Sequence, residues 1–499
     1  MKLYNSNTGE YNFVMAYPAV EEFALSSLGY LWLYKIADTL EGINAVRIST
    51  DKIDIIPKEI DSLAFSMSFD FDYLGVLEIL DKLKIPFYSK ERGEDYPIIF
   101  AGGPVLTTNP KPYENFFDFV ILGDGEEIFE KVLNILKLKL PKSDTLKKLA
   151  DLDGIYIKGG KWGNKSKKAV VSLNNVIYTP IISENSYFKN TFIIEVSRGC
   201  MNRCAFCTAS YTNLPFRHYE YEKIIDAIEL GLKYTNKIAL LGAQISAHPR
   251  FNDIMTYISN KIKNGVNIEL GISSLRTDAV TPEMIENLVL GGQKHSTIAI
   301  EAASERLRKF INKNLKEEQI LNAVKISREN GLKGLKIYSM IGIPTETEED
   351  IKEFITLAKK IKDENKGFNI EFSFSTFVPK PQTPFQWSKR EDTKSLEKKQ
   401  KFLEKELSKL GISSKFSSAK WDYWQTVLSR SDEKITPMLI EVYKNGGKIG
   451  AYKQAVKNLN IDIAKSTEGF DFEEPLPWDC IETYPPKQQL INEFQRLNK

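Results

Sequence analysis

Ser197-Arg198-Gly199-Cys200-Met201-Asn202-Arg203-Cys204-Ala205-Phe206-Cys207 places three of the chain's four cysteines within eight residues, directly behind the apolar run Thr191 to Val196. Three thiolates on one short loop can hold three corners of an iron–sulfur cube and leave the fourth iron open to a substrate or cofactor. Zinc competes for such residues, but a structural zinc site takes four closed ligands and commonly pairs two Cys-x-x-Cys knuckles. Here Cys480 lies far off and no histidine stands at knuckle spacing. The stretch therefore reads as a cluster loop at the end of a strand.

The 499 residues are enough for two to four domains with their own cores. A hydrophobic content of 42% and a charged content of 27% are those of ordinary globular protein. The net charge of +2 gives no overall pull toward nucleic acid or a membrane surface. No apolar stretch reaches the roughly 18 residues of a membrane span, and Met1-Lys2-Leu3-Tyr4-Asn5 lacks the apolar core of a signal peptide, so a cytoplasmic location is expected. Four cysteines in so long a chain make no disulfide framework, and an oxidising compartment would damage a three-thiolate loop. An anaerobic or well-reduced cytoplasm is implied.

Residues 1–145 alternate apolar runs with helical patterns, which predicts a doubly wound α/β domain with a parallel sheet. Strands are expected at Tyr11–Ala16, Ala45–Ser49, Ser62–Phe69, Pro97–Ala101 and Phe117–Leu122. Between the first two, Val20 to Leu40 carries Phe23, Leu28, Leu31, Ile36 and Leu40 at helical spacing. Gly102-Gly103-Pro104 and Gly123-Asp124-Gly125-Glu126-Glu127 both follow apolar runs, at the carboxyl edge where open α/β sheets bind ligands. A tight turn alone would explain the same glycines. Residues 146–190, with short apolar runs at Gly154–Ile157 and Ala169–Leu173, read as a hairpin-like connector with a turn at Lys158-Gly159-Gly160-Lys161-Trp162-Gly163.

From Thr191 a second alternation begins, with strands near 191–196, 237–241, 267–272, 297–301, 334–341 and 369–377. Six strand–helix units fit a partial (β/α)6 barrel over residues 191–390, with the cysteine loop at the carboxyl end of its first strand, where barrel enzymes place their chemistry. Residues 391–499 read as a mainly helical cap: a solvated helix from Glu391 to Leu410, an amphipathic stretch beginning Trp421-Asp422-Tyr423-Trp424, a break at Gly446-Gly447, and the tail Pro475-Leu476-Pro477-Trp478-Asp479-Cys480. As a single cysteine, Cys480 reads as inert more readily than reactive.

The Cys-x3-Cys-x2-Cys spacing, with an aromatic before the last cysteine, resembles the signature of the radical S-adenosylmethionine (radical SAM) enzymes. The resemblance implies a [4Fe–4S] cluster on Cys200, Cys204 and Cys207, and SAM held near Phe206. Later strand ends are similar to the family's SAM-contacting segments: Gly242 and Ala243; Arg276; Glu301, Ser304 and Arg306, with Arg308 close by; and Gly342 and Ile343 in Met340-Ile341-Gly342-Ile343-Pro344-Thr345-Glu346-Thr347. Arg276 reads equally as a helix-flanking surface charge. The alternative reading of the last segment is a strand-to-helix turn, with Thr345 or Thr347 capping a helix from near Glu348.

Upstream, Tyr17-Pro18, then Ser66 and Ser68, then Gly102-Gly103-Pro104, then Gly123, Gly125 and Glu126 are similar in order to the cobalamin-binding domain that precedes the barrel in one large subfamily. The departure is that His218, His248 and His295 all lie outside this domain, so no histidine of its own stands below a bound cobalt. A domain that has lost cobalamin binding is the competing reading. The resemblance implies reductive cleavage of SAM, hydrogen removal from an unactivated sp3 carbon, methyl delivery from methylcobalamin and recharging of the cobalt by a second SAM. It also implies an electron donor such as a ferredoxin or flavodoxin. One such relative in methanogenic archaea methylates a glutamine of methyl-coenzyme M reductase, and the Lys, Ile and Asn richness here suits such an organism. That makes a protein substrate the finer expectation, with no membrane or nucleic-acid partner. A rearrangement or cyclisation on the same cofactors stays open. A transfer-RNA methylthiotransferase would need three more cysteines upstream, and residues 1–190 contain none.

Overall fold

The computed structural model describes residues 1–159 and 165–498. The expected hairpin turn at 158–163 therefore falls mostly outside the described residues. The chain builds a first, mainly parallel sheet and a barrel wall of two parallel ladders, with their carboxyl ends meeting and a helical C-terminal region packed against both.

Strands β1 (Tyr11–Tyr17), β2 (Ile43–Ser49), β3 (Ser62–Ser66), β4 (Ile98–Gly102) and β5 (Phe119–Ile121) run parallel, and β6 (Ile155–Tyr156) joins β5 antiparallel. Their order is β2-β1-β3-β4-β5-β6, so the direction of winding reverses between β1 and β3. That reversal opens a crevice at the carboxyl edge, the usual ligand position of such sheets. Both faces are covered, which is why the strands are near-continuous apolar runs. Phe13 and Met15 join one core beneath the helices Leu28–Thr39 and Glu126–Leu136. Val14 and Ala16 join the opposite core beneath the helix Tyr73–Lys82.

The single helical stretch expected from Val20 to Leu40 is two helices, Glu21–Ala24 and Leu28–Thr39. Ser27 takes an extended conformation between them, and Phe23, counted in the apolar stripe, is exposed. Of the connector, Gly154 donates its N–H to Lys167 (3.0 Å) as a hairpin would, while Ile155–Tyr156 extends the first sheet.

The barrel wall contains every strand expected of it. β7 (Thr191–Glu195) is followed by the short antiparallel pair β8 (Ser197–Arg198) and β9 (Arg217–His218), then β10 (Lys237–Leu241), β11 (Glu269–Ile272), β12 (Ser274–Arg276), β13 (His295–Glu301), β14 (Gly334–Ile341) and β15 (Asn369–Thr376). One parallel ladder runs β7-β10-β11 and a second runs from β12 through β13 and β14 to β15. Only Ser273 separates β11 from β12, so one interrupted strand carries the wall from the first ladder into the second. The outward side chains, such as Ile194, Leu240, Ile298 and Phe372, are buried under the helices. The inward positions include small or polar residues such as Ala239, Gly271, Thr297 and Ser373, beside larger ones such as Ile193 and Tyr338.

A further strand lies past residue 390. The helix Thr393–Lys409, read from the sequence as solvated, buries Leu396, Leu403 and Leu407 against the barrel wall and leads to β16 (Ser413–Phe416), which pairs parallel with β15. The helices Ala419–Arg430, Thr436–Lys444 and Ile449–Leu459 then return to the first sheet, where Trp424, Met438 and Tyr452 share a core with Val14, Leu63 and Ile99. Tyr452 and Tyr73 hydroxyls meet at 2.7 Å within it. The tail docks on the cluster-loop side of the barrel: Trp478 and Leu490 pack with Tyr211 and Trp387. Among the described residues no helix is long and apolar enough to cross a membrane.

Candidate active site

The cluster loop leaves β8 at the carboxyl end of the barrel and is bonded from several sides. Tyr211 Oη (3.2 Å) and Asn312 Nδ2 (2.7 Å) both donate to the Arg203 carbonyl. Ala205 donates its N–H to Ile311 O (2.9 Å), and Phe385 donates its N–H to Ala205 O (3.2 Å). Phe206 packs beside a core containing Ala205, Ile311, Ile343 and Phe385. Burial pushes the Cys204 thiol up to about 12 and also raises Cys207; further raising comes from Cys207 acting on Cys204 and from Cys200 acting on Cys207. The three thiols are therefore neighbours, and the raised Cys204 and Cys207 thiols would release protons on binding metal. Among the described residues no three His, Cys, Asp or Glu side chains converge on one point as a single ion requires. Soft sulfur donors spread along a backbone-anchored loop fit a multi-iron cluster, whose corners take one thiolate each. Cys200 Sγ also lies 3.4 Å from Gln244 Oε1, which Asn202 Nδ2 bonds as well.

Cys480 belongs elsewhere. Its Sγ lies 3.6 Å from the Pro477 carbonyl, and burial pushes the thiol up to about 11.

Glu301, which acts electrostatically on Cys204, stands at the last position of β13, after a register shift at Ala299, and takes a φ of +66°. Its carboxylate pairs with Lys313 Nζ at 3.0 Å. Sequence reading placed arginines near Glu301 and missed Lys313, whose only local signal is its setting between Asn312 and Asn314, both in the left-handed region. Lys313 and Arg276 both act on the Cys204 thiol electrostatically, so the lysine, the arginine and Glu301 share one space above the cluster loop. Arg276 itself binds Asp278 (2.6 Å) and the Lys313 carbonyl (3.3 Å).

The other segments have structural duties as well. Ser304 caps the helix Glu305–Phe310 by accepting Leu307 N–H. Arg308 is fully buried on the carbonyls of Ala302, Ala303 and Leu315, and Arg306 binds Thr345 and Asp350. Gly242 faces Ser197, whose Oγ a Cβ at 242 would approach to 2.7 Å; Ala243 is exposed. Gly342, at φ +79°, donates its N–H to Glu346 Oε1 (2.9 Å), and Lys399 holds that carboxylate from outside the barrel (2.6 Å). Ile343 is buried, and Thr347 is the cap of the helix Glu348–Glu364.

At the edge of the first sheet, Tyr17, Ser66 and Gly102 end β1, β3 and β4. Tyr17, Ser66, Gly102 and Gly103 are half exposed, Ser68 and Pro104 are exposed, and Pro18 is buried with its carbonyl against Gly75. These ends form a partly exposed shelf at the switch point, with Tyr17 at one side and the backbone of Gly102 and Gly103 at the other, where a broad, flat group such as a corrin could rest. The residues after β5 fit one less well. A Cβ on Gly123 would lie 2.2 Å from Ala169 O, because the connector crosses there, and Gly125 faces Leu33. Glu126 is bound by Arg198 of the cluster loop. The two carboxyl edges are joined again where Gln382 Nε2 donates to Thr107 O (2.7 Å) and Thr108 O (2.9 Å), and where Lys168 Nζ reaches Thr212 O (3.2 Å) and Gln382 Oε1 (3.4 Å).

Residues 37–158 match the family described as radical SAM proteins, N-terminal, and residues 194–358 match the radical SAM superfamily. An uncharacterised protein of Methanocaldococcus jannaschii is 31% identical over 392 residues, covering 77% of this chain and 80% of the relative. An uncharacterised methyltransferase of Pyrococcus horikoshii is 26% identical, over 60% of this chain and 67% of its own. A putative methylthiotransferase of M. jannaschii is also 26% identical, over 60% of this chain and 68% of its own. In fold, the chain is similar to the cobalamin-dependent S-adenosylmethionine radical enzyme OxsB with aqua-cobalamin and S-adenosylmethionine bound, at a TM-score of 0.58 and 14% identity over 92% of this chain and 72% of that one. The chain belongs to the radical SAM superfamily, whose members use a [4Fe–4S] cluster and SAM.

Proposed function

We propose that this protein is a cobalamin-dependent radical SAM C-methyltransferase that methylates an unactivated sp3 carbon. The observation carrying this reading is the meeting of two carboxyl edges: the open shelf of β1, β3 and β4 belongs to the same edge that Gln382, Lys168 and Arg198 join to the cluster loop. When bound, the cluster with SAM supplies one-electron chemistry at carbon, and a cobalamin supplies a transferable methyl group. Cys200, Cys204 and Cys207 hold the iron; Lys313, Glu301 and Arg276 offer charges of both signs to the amino and carboxylate groups of SAM. Tyr17, Ser66, Ser68, Gly102, Gly103 and Pro104 form the cobalamin shelf. The concave wall, with Ala239, Gly271 and Thr297 inward, leaves room for substrate beside them.

An electron donor of the ferredoxin or flavodoxin type and a reduced cytoplasm are part of the reading. Its finer form takes a protein substrate, the glutamine of methyl-coenzyme M reductase. A methylthiotransferase is the second reading, supported by the relative from M. jannaschii; it is disfavoured because residues 1–190 contain no cysteine for a second cluster.

The test is anaerobic reconstitution with iron, sulfide and hydroxocobalamin, followed by metal analysis. The reading expects about four irons and about one cobalt per chain, and methyl transfer from labelled SAM to the glutamine-containing peptide or to another substrate. Iron without cobalt sinks the cobalamin reading. A product with no added methyl favours rearrangement or cyclisation, and one with added sulfur favours the methylthiotransferase.

A further inference from the structure

The loop that carries the three cysteines has a neck, and the neck is held by the other domain. β8 and β9 bracket residues 199–216, and their register sets Arg198 directly opposite Arg217. Like charges facing each other across an antiparallel pair repel, and here both are largely withdrawn from water, each side chain being 13% exposed. What neutralises them comes from the loop after β5 of the first sheet. Arg198 Nη1 and Nη2 grip Glu126 at 3.2 and 2.7 Å, and Nη1 reaches Asp124 at 2.9 Å. Arg217 Nη1 binds the other oxygen of Asp124 at 2.6 Å and the Val171 carbonyl at 2.7 Å. The barrel contributes one carboxylate, Glu195, which accepts from Arg198 Nε at 3.0 Å and from Tyr219 Oη at 2.9 Å.

We propose that Asp124 and Glu126 are positioning residues for the cluster loop: they neutralise the cross-strand Arg198–Arg217 pair and so close the neck two residues before Cys200. One carboxylate from the barrel cannot balance two guanidinium groups. With Asp124 and Glu126 added, three carboxylates face the two guanidinium groups, Asp124 bridges both arginines, and Lys168 acts on Asp124 as a further cation. Glu126 is thereby a residue of the domain interface. The proposal rests on membership of the radical SAM superfamily and is independent of the cobalamin reading.

The test uses the full chain with its cluster reconstituted and no corrinoid added. SAM binding is read from the change it causes in the electron paramagnetic resonance spectrum of the reduced cluster, and thermal unfolding is measured alongside. Asp124→Asn and Glu126→Gln are each expected to weaken SAM binding by about fivefold or more. Arg217→Gln placed in the Asp124→Asn chain is expected to recover most of that loss, because it removes the facing charge. A chain that had merely failed to fold would gain nothing from it. Unchanged SAM affinity and spectra in both single variants overturn the proposal. So does a loss that Arg217→Gln does not repair.

Discussion

Lys313 Nζ sits 3.0 Å from Glu301 Oε1, with the two side chains 9% and 13% exposed. Breaking a buried pair from one side leaves the other charge without compensation, at a cost of about 3 kcal/mol or more. Lys313→Met is therefore expected to lower the urea midpoint of the cluster-free chain markedly, and Glu301→Gln added to it is expected to restore most of the loss. Glu301→Gln in the loaded enzyme should also weaken SAM binding by about tenfold.

Gly242 and Ser197 are mutually exclusive in bulk. A Cβ at 242 would lie 2.7 Å from Ser197 Oγ and 3.2 Å from Ser197 O, and that buried hydroxyl has no hydrogen-bond partner among the described residues. Gly242→Ala is expected to cost about 1–3 kcal/mol through overpacking. Ser197→Ala alone should be close to neutral, and in the Gly242→Ala chain it should recover part of the lost melting temperature.

Lys168 supplies a pH dependence. Burial lowers its amine from 10.5 to about 8, so the folded state holds that proton less well than the unfolded chain. The cost of burying the charge is present in full below pH 8 and is relieved as the pH rises from about 8 toward 10.5. In Lys168→Met the gain in stability between pH 8 and 10 is expected to disappear, measured by urea unfolding across that range.

Iron content separates the four cysteines. Alanine at Cys200, Cys204 or Cys207 is expected to abolish stable binding of about four irons per chain. Cys480→Ala should leave it unchanged, since Cys480 lies against Pro477 O with its thiol held protonated by burial.

Much of this architecture is written in local pattern. The strands ending in Tyr17, Ser66 and Gly102 are runs buried on both faces, and the barrel strands announce themselves by apolar residues that alternate outward. β16 escaped because Ser413-Ser414-Lys415-Phe416 offers one large apolar side chain on an exposed edge, too little for periodicity to register. The break at Ser27 was hidden because the residues on either side of it keep a helical spacing. Lys313 lies 12 residues from Glu301, and Glu126 lies 72 from Arg198; neither pairing obeys a repeat, so only the folded chain brings them together. The three cysteines were legible because their chemistry requires one short loop.

The face of the first sheet built around Val14, Leu63 and Ile99 is roofed in part by Trp424, Met438 and Tyr452. The opening domain of the chain thus waits for residues from the last fifth of it. On the ribosome, its apolar face emerges early and stays uncovered while the barrel is being made. A fragment ending near residue 145 would carry that bare face permanently, and is expected to aggregate where the full-length chain does not.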